Sequence, residues 1–526
     1  ADRSHARNTT KGRPKMLVSR LRLGKNALRA LATPHRAMST PRLTEATLNK
    51  KVVEAEYAVR GAIVLRGMQH EEALAKGEKR PFSKMVFCNV GNPQQLQQKP
   101  ITYFRQLLAL MDYPEMIDNP PSMFPPDVVA RAKKIMARAP GGTGAYSESK
   151  GLKVLREDVA AFIEARDGVK ADPERIFLTD GASQGVNVSL NCLIRDSNDS
   201  IMIPIPQYPL YTATIALLGG HYSPYYLNEE NGWSMDIAEL ERSAAQAKRD
   251  GKVLRALAVI NPGNPTGQCL SPENMVEVVK FCEREGMVLL ADEVYQQNVY
   301  GPNDTSLGLY DPSLRASHGF TSFRQVVADM GSDCQLMSFH SVSKGVVGEC
   351  GRRGGYLELQ NICESVQDQI LKLFSVGLCS NISGQVMVGA MVNPPKPGEP
   401  SYHLFKSEFD DLYESLKRRS QKLSAALNDM PNVSCTHIGG ALYAFPTVKL
   451  PPKAVADAEA KGMVPDAFFC LELLDATGIC VVPGSGFKQK EGTFHFRTTF
   501  LPPEAEFDDV ISKMGTFTRE FMARYA

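Results

Sequence analysis

Apolar residues cluster along this chain in short runs, and from about Pro173 those runs recur with a regular spacing. Five of them, at residues 175–178, 200–203, 254–260, 287–291 and 334–339, are nearly continuous rather than alternating. That pattern predicts strands buried on both faces. Between them lie stretches of helical spacing, so the segment predicts an α/β fold with a mostly parallel sheet covered by helices. Elsewhere the signals are sparser. Residues 46–66 read as helical and extended, and residues 87–93 as a strand running into a turn. Pro-rich stretches surround residues 114–126, and residues 394–398 (PPKPG) read as a linker. Residues 404–427 carry a helical period long enough for an interdomain helix.

Every predicted strand ends in a polar cluster, and in such sheets ligands sit beyond the carboxyl ends of the strands. The first end carries Ala182 and Ser183, which open a helix and suit an anion through hydroxyl, amides and dipole. The second carries Tyr208, an aromatic face. The third carries Asn264, and the fourth Asp292 and Tyr295. Asp292 ends a buried strand and needs a partner, because an unpaired buried charge is costly. The fifth end runs Ser338 to Gly345, with Ser341, Ser343 and Lys344, followed by Gly351-Arg352-Arg353-Gly354-Gly355. A lysine there serves either as a phosphate counter-ion or as a Schiff-base nucleophile. Gly91, in the turn after residue 87, lets a ligand approach the backbone. Singly, each residue has an ordinary use: Asp292 as a helix cap, Tyr208 in packing, Asn264 in a turn, His340 in the core. Jointly, a phosphate grip, a carboxylate, an aromatic plate, two donors and a lysine describe a pyridoxal 5'-phosphate site. Gly484-Ser485-Gly486-Phe487 lacks the remaining glycine and the context of a dinucleotide fingerprint.

Charge changes the picture at the front end. The 526 residues carry a net charge of +2, yet residues 1–44 hold eleven Lys or Arg and one acid, leaving the remainder at −8. The arginines, the scarcity of acids, and Leu17, Leu21 and Leu28 on one helical face predict a mitochondrial transit peptide. A plain basic tail and a nucleic-acid arm are the alternatives, and no DNA-binding motif follows. Eleven single cysteines without a CxxC pair support neither a disulfide framework nor a zinc ribbon, and no metal site is predicted. No apolar run is long enough to predict a membrane span.

Four motifs carry a resemblance: residues 261–267 (NPGNPTG), 289–295 (LLADEVY), 341–356 (SVSKGVVGECGRRGGY) and 493–497 (TFHFR). The chain resembles the fold-type I, class I/II pyridoxal-phosphate aminotransferases over nearly everything after its first forty residues. Residues 204–211 (PIPQYPLY) and the GECG insertion are more specific to the alanine aminotransferase branch. The resemblance implies a large domain (93–393) with a seven-stranded sheet, and a smaller α+β domain from residues 45–92 and 394–526. It implies transfer of an amino group between L-alanine and 2-oxoglutarate in two half-reactions, in a homodimer, with amino and 2-oxo acids as the only partners and neither nucleic acid nor membrane. Lys344 is implied as the covalent anchor and proton shuttle, Asp292 as partner of the pyridine nitrogen, and Asn264 and Tyr295 as donors to the ring oxygen. Tyr208 stacks on the ring, and Ala182, Ser183, Ser341, Ser343 and Arg353 surround the phosphate. Arg353 is selected over Arg352 by family spacing. Tyr146 is implied to reach the phosphate from a second subunit. Arg497 forks onto the substrate α-carboxylate beside the Gly91 backbone and Asn264. Two competitors stand beside this reading: a glutamate:glyoxylate aminotransferase and a non-catalytic regulator on the same fold.

Overall fold

The structure is a computed structural model that describes residues 43–56, 61–301, 310 and 319–526. The chain forms two compact units, residues 1–49 and 50–526. The described part of the first carries one 3₁₀ turn, Glu45–Thr47, whose cap is Thr44. The predicted transit peptide and its leucine face lie, up to residue 42, outside the described residues.

The second unit is built on a seven-stranded sheet. Its strands are β1 (Ile176–Thr179), β2 (Asp199–Ile205), β3 (His221–Tyr226), β4 (Val253–Ile260), β5 (Val288–Asp292), β6 (Leu336–Ser341) and β7 (Gly355–Gln360). Their order across the sheet is β1-β7-β6-β5-β4-β2-β3. All pairings are parallel except those of β7, which runs antiparallel to β1 and β6. The five strands expected from apolar runs are all present, within two residues at each end.

Covering on both faces explains why those runs are continuous. Ala258 and Ile260 of β4 pack with Phe339 and the helices Ala182–Leu193 and Leu210–Leu218. Their neighbours Leu257 and Val259 pack on the opposite face with Pro272–Glu285 and Ile237–Arg249. Alternate residues thus serve two cores. Two strands were not expected, β3 and β7. β3 is a half-exposed edge strand containing Pro224, so it lacks the apolar run. β7 starts inside the glycine-rich motif that reads as a phosphate loop.

Smaller sheets bring distant parts of the chain together. Val86–Phe87 pairs in parallel with Ile479–Cys480. Phe496–Thr499 lies between Tyr443–Ala444 and Val482–Pro483, antiparallel to both. This last strand carries Arg497 of the TFHFR motif. The helix Tyr402–Asn428 has the length its periodicity predicts. Among the described residues, no helix is long and apolar enough to cross a membrane.

Candidate active site

Strand register puts the functional positions in a row. Thr179 and Ser341 both stand opposite Gly355, and Asp292 stands opposite both Ile260 and Phe339. The carboxyl ends of β1, β4, β5 and β6 therefore open onto one place.

One side of it is a cup of donors. The helix Ala182–Leu193 starts there, and Gly181 precedes it at φ 77° with no side-chain cap. A Cβ at Gly181 would stand 2.3 Å from Arg353 Nη2, so this glycine is required by both conformation and space. Arg353 itself is left-handed, at φ 52°, an uncommon state for arginine. That turn aims its guanidinium back across the cup. Nη2 donates to Ser183 Oγ at 3.2 Å and to the Asp180 carbonyl at 3.0 Å, and Nη1 reaches Ser343 Oγ at 3.4 Å. Ser341 Oγ accepts from the Ser343 N–H at 3.3 Å. Ala182, Ser183, Ser341, Ser343 and Arg353 are thus brought together. Arg352 has no side-chain bond to this group. Its neighbour Glu349 takes a two-point ion pair from Arg105, with both contacts at 3.1 Å, which anchors the loop after Lys344.

The floor holds Asp292 and Lys344. Tyr211 donates to Asp292 Oδ2 at 3.2 Å, while Oδ1 is buried without a hydrogen-bond partner. Burial pushes this carboxyl up to about 6, against the pull of Tyr211, the Val294 N–H and the Lys344 ammonium. A buried carboxylate oxygen with nothing to accept from is a place for a cationic N–H. Lys344 Nζ donates to the Gly91 carbonyl at 2.8 Å. Tyr208 is half-buried beside the cluster of Tyr211 and Phe339. Asp292, Lys344, Tyr208 and Gly91 are thus brought together here, with Tyr211 as an added member. It lies within the PIPQYPLY motif, but nothing in that motif says which tyrosine faces the acid.

The other wall belongs to Arg497, which is 2% exposed. Its guanidinium lies between two rings, 4.4 Å from the centroid of Tyr443 and 4.8 Å from that of Phe487. Nη1 donates to Asn264 Oδ1 at 3.0 Å, and Nη2 donates to the Asn89 carbonyl. Nε has no partner, and among the described residues no carboxylate pairs with this arginine. A buried guanidinium without an acid is costly unless a ligand supplies one. Tyr295 donates to Tyr443 at 3.2 Å. Tyr443 was not foreseen, and Phe487 belongs to the GSGF turn that sequence reading set aside. Both reach the site through pairing of strands far apart in the chain. Tyr146 stands apart, 80% exposed and without a hydrogen bond or ring contact to the cluster. His340 is buried edge-on against Tyr356, 5.6 Å between centroids, with both ring nitrogens unbonded.

These residues fit pyridoxal phosphate by their donor chemistry: an anion cup, a lysine, an unsatisfied carboxylate oxygen and an aromatic face. Comparison with known proteins agrees. The family model for aminotransferase class I and II matches residues 117–514. A probable mitochondrial alanine aminotransferase of Dictyostelium discoideum is 52% identical over 90% of this chain and 89% of its own length. A glutamate–glyoxylate aminotransferase of Arabidopsis thaliana is 49% identical over 91% of this chain and 96% of its own. The alanine aminotransferase of Pyrococcus furiosus shares the fold, with a TM-score of 0.70 at 23% identity over 90% of this chain and all of that one. With a matched family model across most of its length and relatives at about half identity along nearly all of it, this chain belongs to the class I and II aminotransferases.

Proposed function

We propose that this protein moves the amino group between L-alanine and 2-oxoglutarate, giving pyruvate and L-glutamate, with pyridoxal 5'-phosphate bound at the end of the central sheet. One observation carries the reading: Arg497, buried and without an acid partner, shares the site with a lysine and an unsatisfied carboxylate. Ser183, Ser343, Arg353 and the start of the helix Ala182–Leu193 would hold the phosphate, with Ser341 bracing Ser343. Asp292 Oδ1 would accept from the pyridine nitrogen and keep it protonated. Asn264, whose Oδ1 serves Arg497, would turn its amide nitrogen to the ring oxygen beside Tyr295, and Tyr208 would cover the ring.

The bound cofactor supplies an electron sink that acidifies the substrate Cα–H. Lys344 Nζ would hold the cofactor and, once released from it by the substrate amine, would take that proton and give it back as a positioned base and acid. Arg497 fixes the α-carboxylate with a planar fork, so the Cα–H bond is aimed rather than merely bound. Alanine and glutamate both present that carboxylate, which suits a site that must serve both in turn.

The 49% identity to a glutamate–glyoxylate enzyme keeps a second acceptor in view. Steady-state rates with L-glutamate and either pyruvate or glyoxylate decide between them. A higher kcat/KM with pyruvate supports the alanine reading, and a clear preference for glyoxylate overturns it. Tyr146, exposed in the single chain, supports a homodimer in which each subunit completes the other's phosphate site. Residues 93–393 would be the cofactor domain, and 45–92 with 394–526 the smaller one. The basic first 44 residues, and the mitochondrial names of several relatives, support delivery to the mitochondrial matrix. Fusing residues 1–44 to a fluorescent reporter should send it there. A reporter that stays outside mitochondria overturns this assignment.

A further inference from the structure

We infer that Tyr443 is a further catalytic residue of this site: its phenol oxygen lies beside the Lys344 amine, its ring lies under the Arg497 guanidinium, and it exchanges a proton with Lys344 during turnover. The inference rests on the aminotransferase reading and adds to it a residue with no assigned role.

Geometry carries it. Tyr443 is 2% exposed and pairs across strands with Thr499, two residues beyond Arg497 on the same strand. A Cβ placed on Gly91 would lie 2.3 Å from Tyr443 Oη and 3.1 Å from Lys344 Nζ, so the phenol oxygen and the amine sit over the same backbone carbon. Lys344 spends one of its hydrogens on the Gly91 carbonyl, which accepts but cannot take a proton. Tyr443 Oη lies beside that amine, over the same carbon. On its other side Tyr295 Oη donates to it at 3.2 Å, with the two rings edge to face at 84°. The guanidinium of Arg497 covers the ring at 4.4 Å. The titratable and charged groups that face Tyr443 are therefore Lys344, Arg497 and Tyr295.

This setting separates the two phenols. Burial alone would raise Tyr443, but the Lys344 and Arg497 cations and the bond from Tyr295 bring it below its ordinary value of 10. Burial and the neighbouring Tyr443 drive Tyr295 well above that value. In this structure Tyr295 is thus the donor of the pair and Tyr443 the acceptor. When Lys344, as a neutral amine, has taken the substrate proton, it is an ammonium. With Tyr443 as phenolate, transfer from the ammonium breaks an Nζ–H bond and forms an Oη–H bond, leaving amine and phenol. The reverse step restores ammonium and phenolate. No electrons move, and the proton count is unchanged over the cycle.

The test separates the hydroxyl from the ring. Tyr443→Phe keeps the plate beneath Arg497 and deletes only Oη; Tyr443→Leu removes both. In single-turnover reactions of the holoenzyme with L-alanine, the Phe variant should react about 100-fold more slowly, within the usual range for a proton-transfer group. Its apparent Kd for alanine should change little, its isotope effect with Cα-deuterated alanine should rise, and its pH–rate profile should lose an ionisation. The Leu variant should lose affinity as well. Independently of turnover, ultraviolet titration of the full-length protein should show a phenol ionising below free tyrosine that the Phe variant lacks. A Phe variant with wild-type rate, isotope effect and pH profile overturns the proposal, as does a rate loss matched by an equal loss of affinity. If the wild-type protein transaminates nothing, the wider reading fails instead, and the phenol titration alone decides whether the Lys344 and Arg497 cations hold the Tyr443 phenol below its ordinary value.

Discussion

Asp292 pays for its position in the absence of a ligand. Its carboxyl is raised from 3.8 to about 6, chiefly by burial, so the folded chain holds a proton there that the unfolded chain releases. Stability of the cofactor-free protein must fall as pH rises from about 4 to 6, and the full cost, about 3 kcal/mol, is present above that window. Asp292→Asn should therefore raise the Tm of cofactor-stripped protein at pH 8 and leave it unchanged at pH 4, while weakening cofactor binding and abolishing turnover. A variant that is less stable at pH 8 would show that the carboxylate is paired after all. Arg497 is the opposite charge in the same predicament. Arg497→Ala should weaken alanine and glutamate alike by about 1.5–3 kcal/mol, and Arg497→Lys should recover the charge without the fork. Half-reaction kinetics with each amino acid check this. A variant that fails only with glutamate would place Arg497 against a side chain. Asp292 was legible because it ends an apolar strand where a charge has no structural excuse, and Arg497 through the TFHFR motif that carries the resemblance. Tyr443 was not: nothing in GGALYAFP says that it would lie over Gly91, some 350 residues away in the chain.

At the scale of elements, β5, β6 and β7 have two unlike faces. One carries the candidate site residues Asp292 and Ser341 at its carboxyl end. Behind it lies a buried polar layer in which Arg166 grips Asp167 at 2.6 and 2.7 Å, and Arg324 reaches Glu358 at 3.0 Å. Glu293, next to Asp292, accepts the Phe323 N–H at 2.8 Å. Burial raises its carboxyl from 4.5 to about 8, against the pull of Arg166. It is therefore protonated at neutral pH, and stability must decline as pH rises through 4.5 to 8. Glu293→Gln keeps the acceptor and removes the titration. It should leave the Tm unchanged near pH 4 and raise it at pH 9, the gain in stability being on the order of 5 kcal/mol at most. Thermal melts across that range measure it, and an unchanged slope with pH would refute the assignment. The strands themselves were readable because covering on both faces demands unbroken apolar runs. β7 was hidden by its dual use, since its first residue must be a glycine: a Cβ at Gly355 would stand 2.8 Å from the Gly181 carbonyl carbon and 2.9 Å from the Ala182 nitrogen. The same motif thus reads as phosphate loop and starts the strand. The GSGF turn was misleading in another way. It lacks a dinucleotide fingerprint because its work is to set Phe487 under Arg497.

The whole molecule leaves one predicted residue without employment. Tyr146 is 80% exposed, although its loop packs closely enough that a Cβ at Gly141 would stand 2.3 Å from the Ala145 side chain. A large exposed aromatic on such a loop marks an interaction site more readily than a random surface position. If its hydroxyl serves the phosphate of a second subunit, the site is shared, and mixing experiments reveal the sharing. A dimer of Tyr146→Ala subunits should bind cofactor weakly, since both sites lack the hydroxyl. A dimer of Lys344→Ala subunits should be inactive, since both lack the amine. In a mixed dimer, the subunit that carries Tyr146→Ala keeps its own Lys344 and receives Tyr146 from its neighbour, so one site is whole. Unfolding and refolding the two variants together should therefore give more activity, and tighter cofactor binding, than the sum of the two variants refolded apart. The gain should vanish on dilution below the dimer dissociation constant, because a site completed in trans cannot survive separation of the subunits. Mixtures whose activity equals that sum at every ratio would place Tyr146 in its own subunit's surface and remove it from the phosphate site.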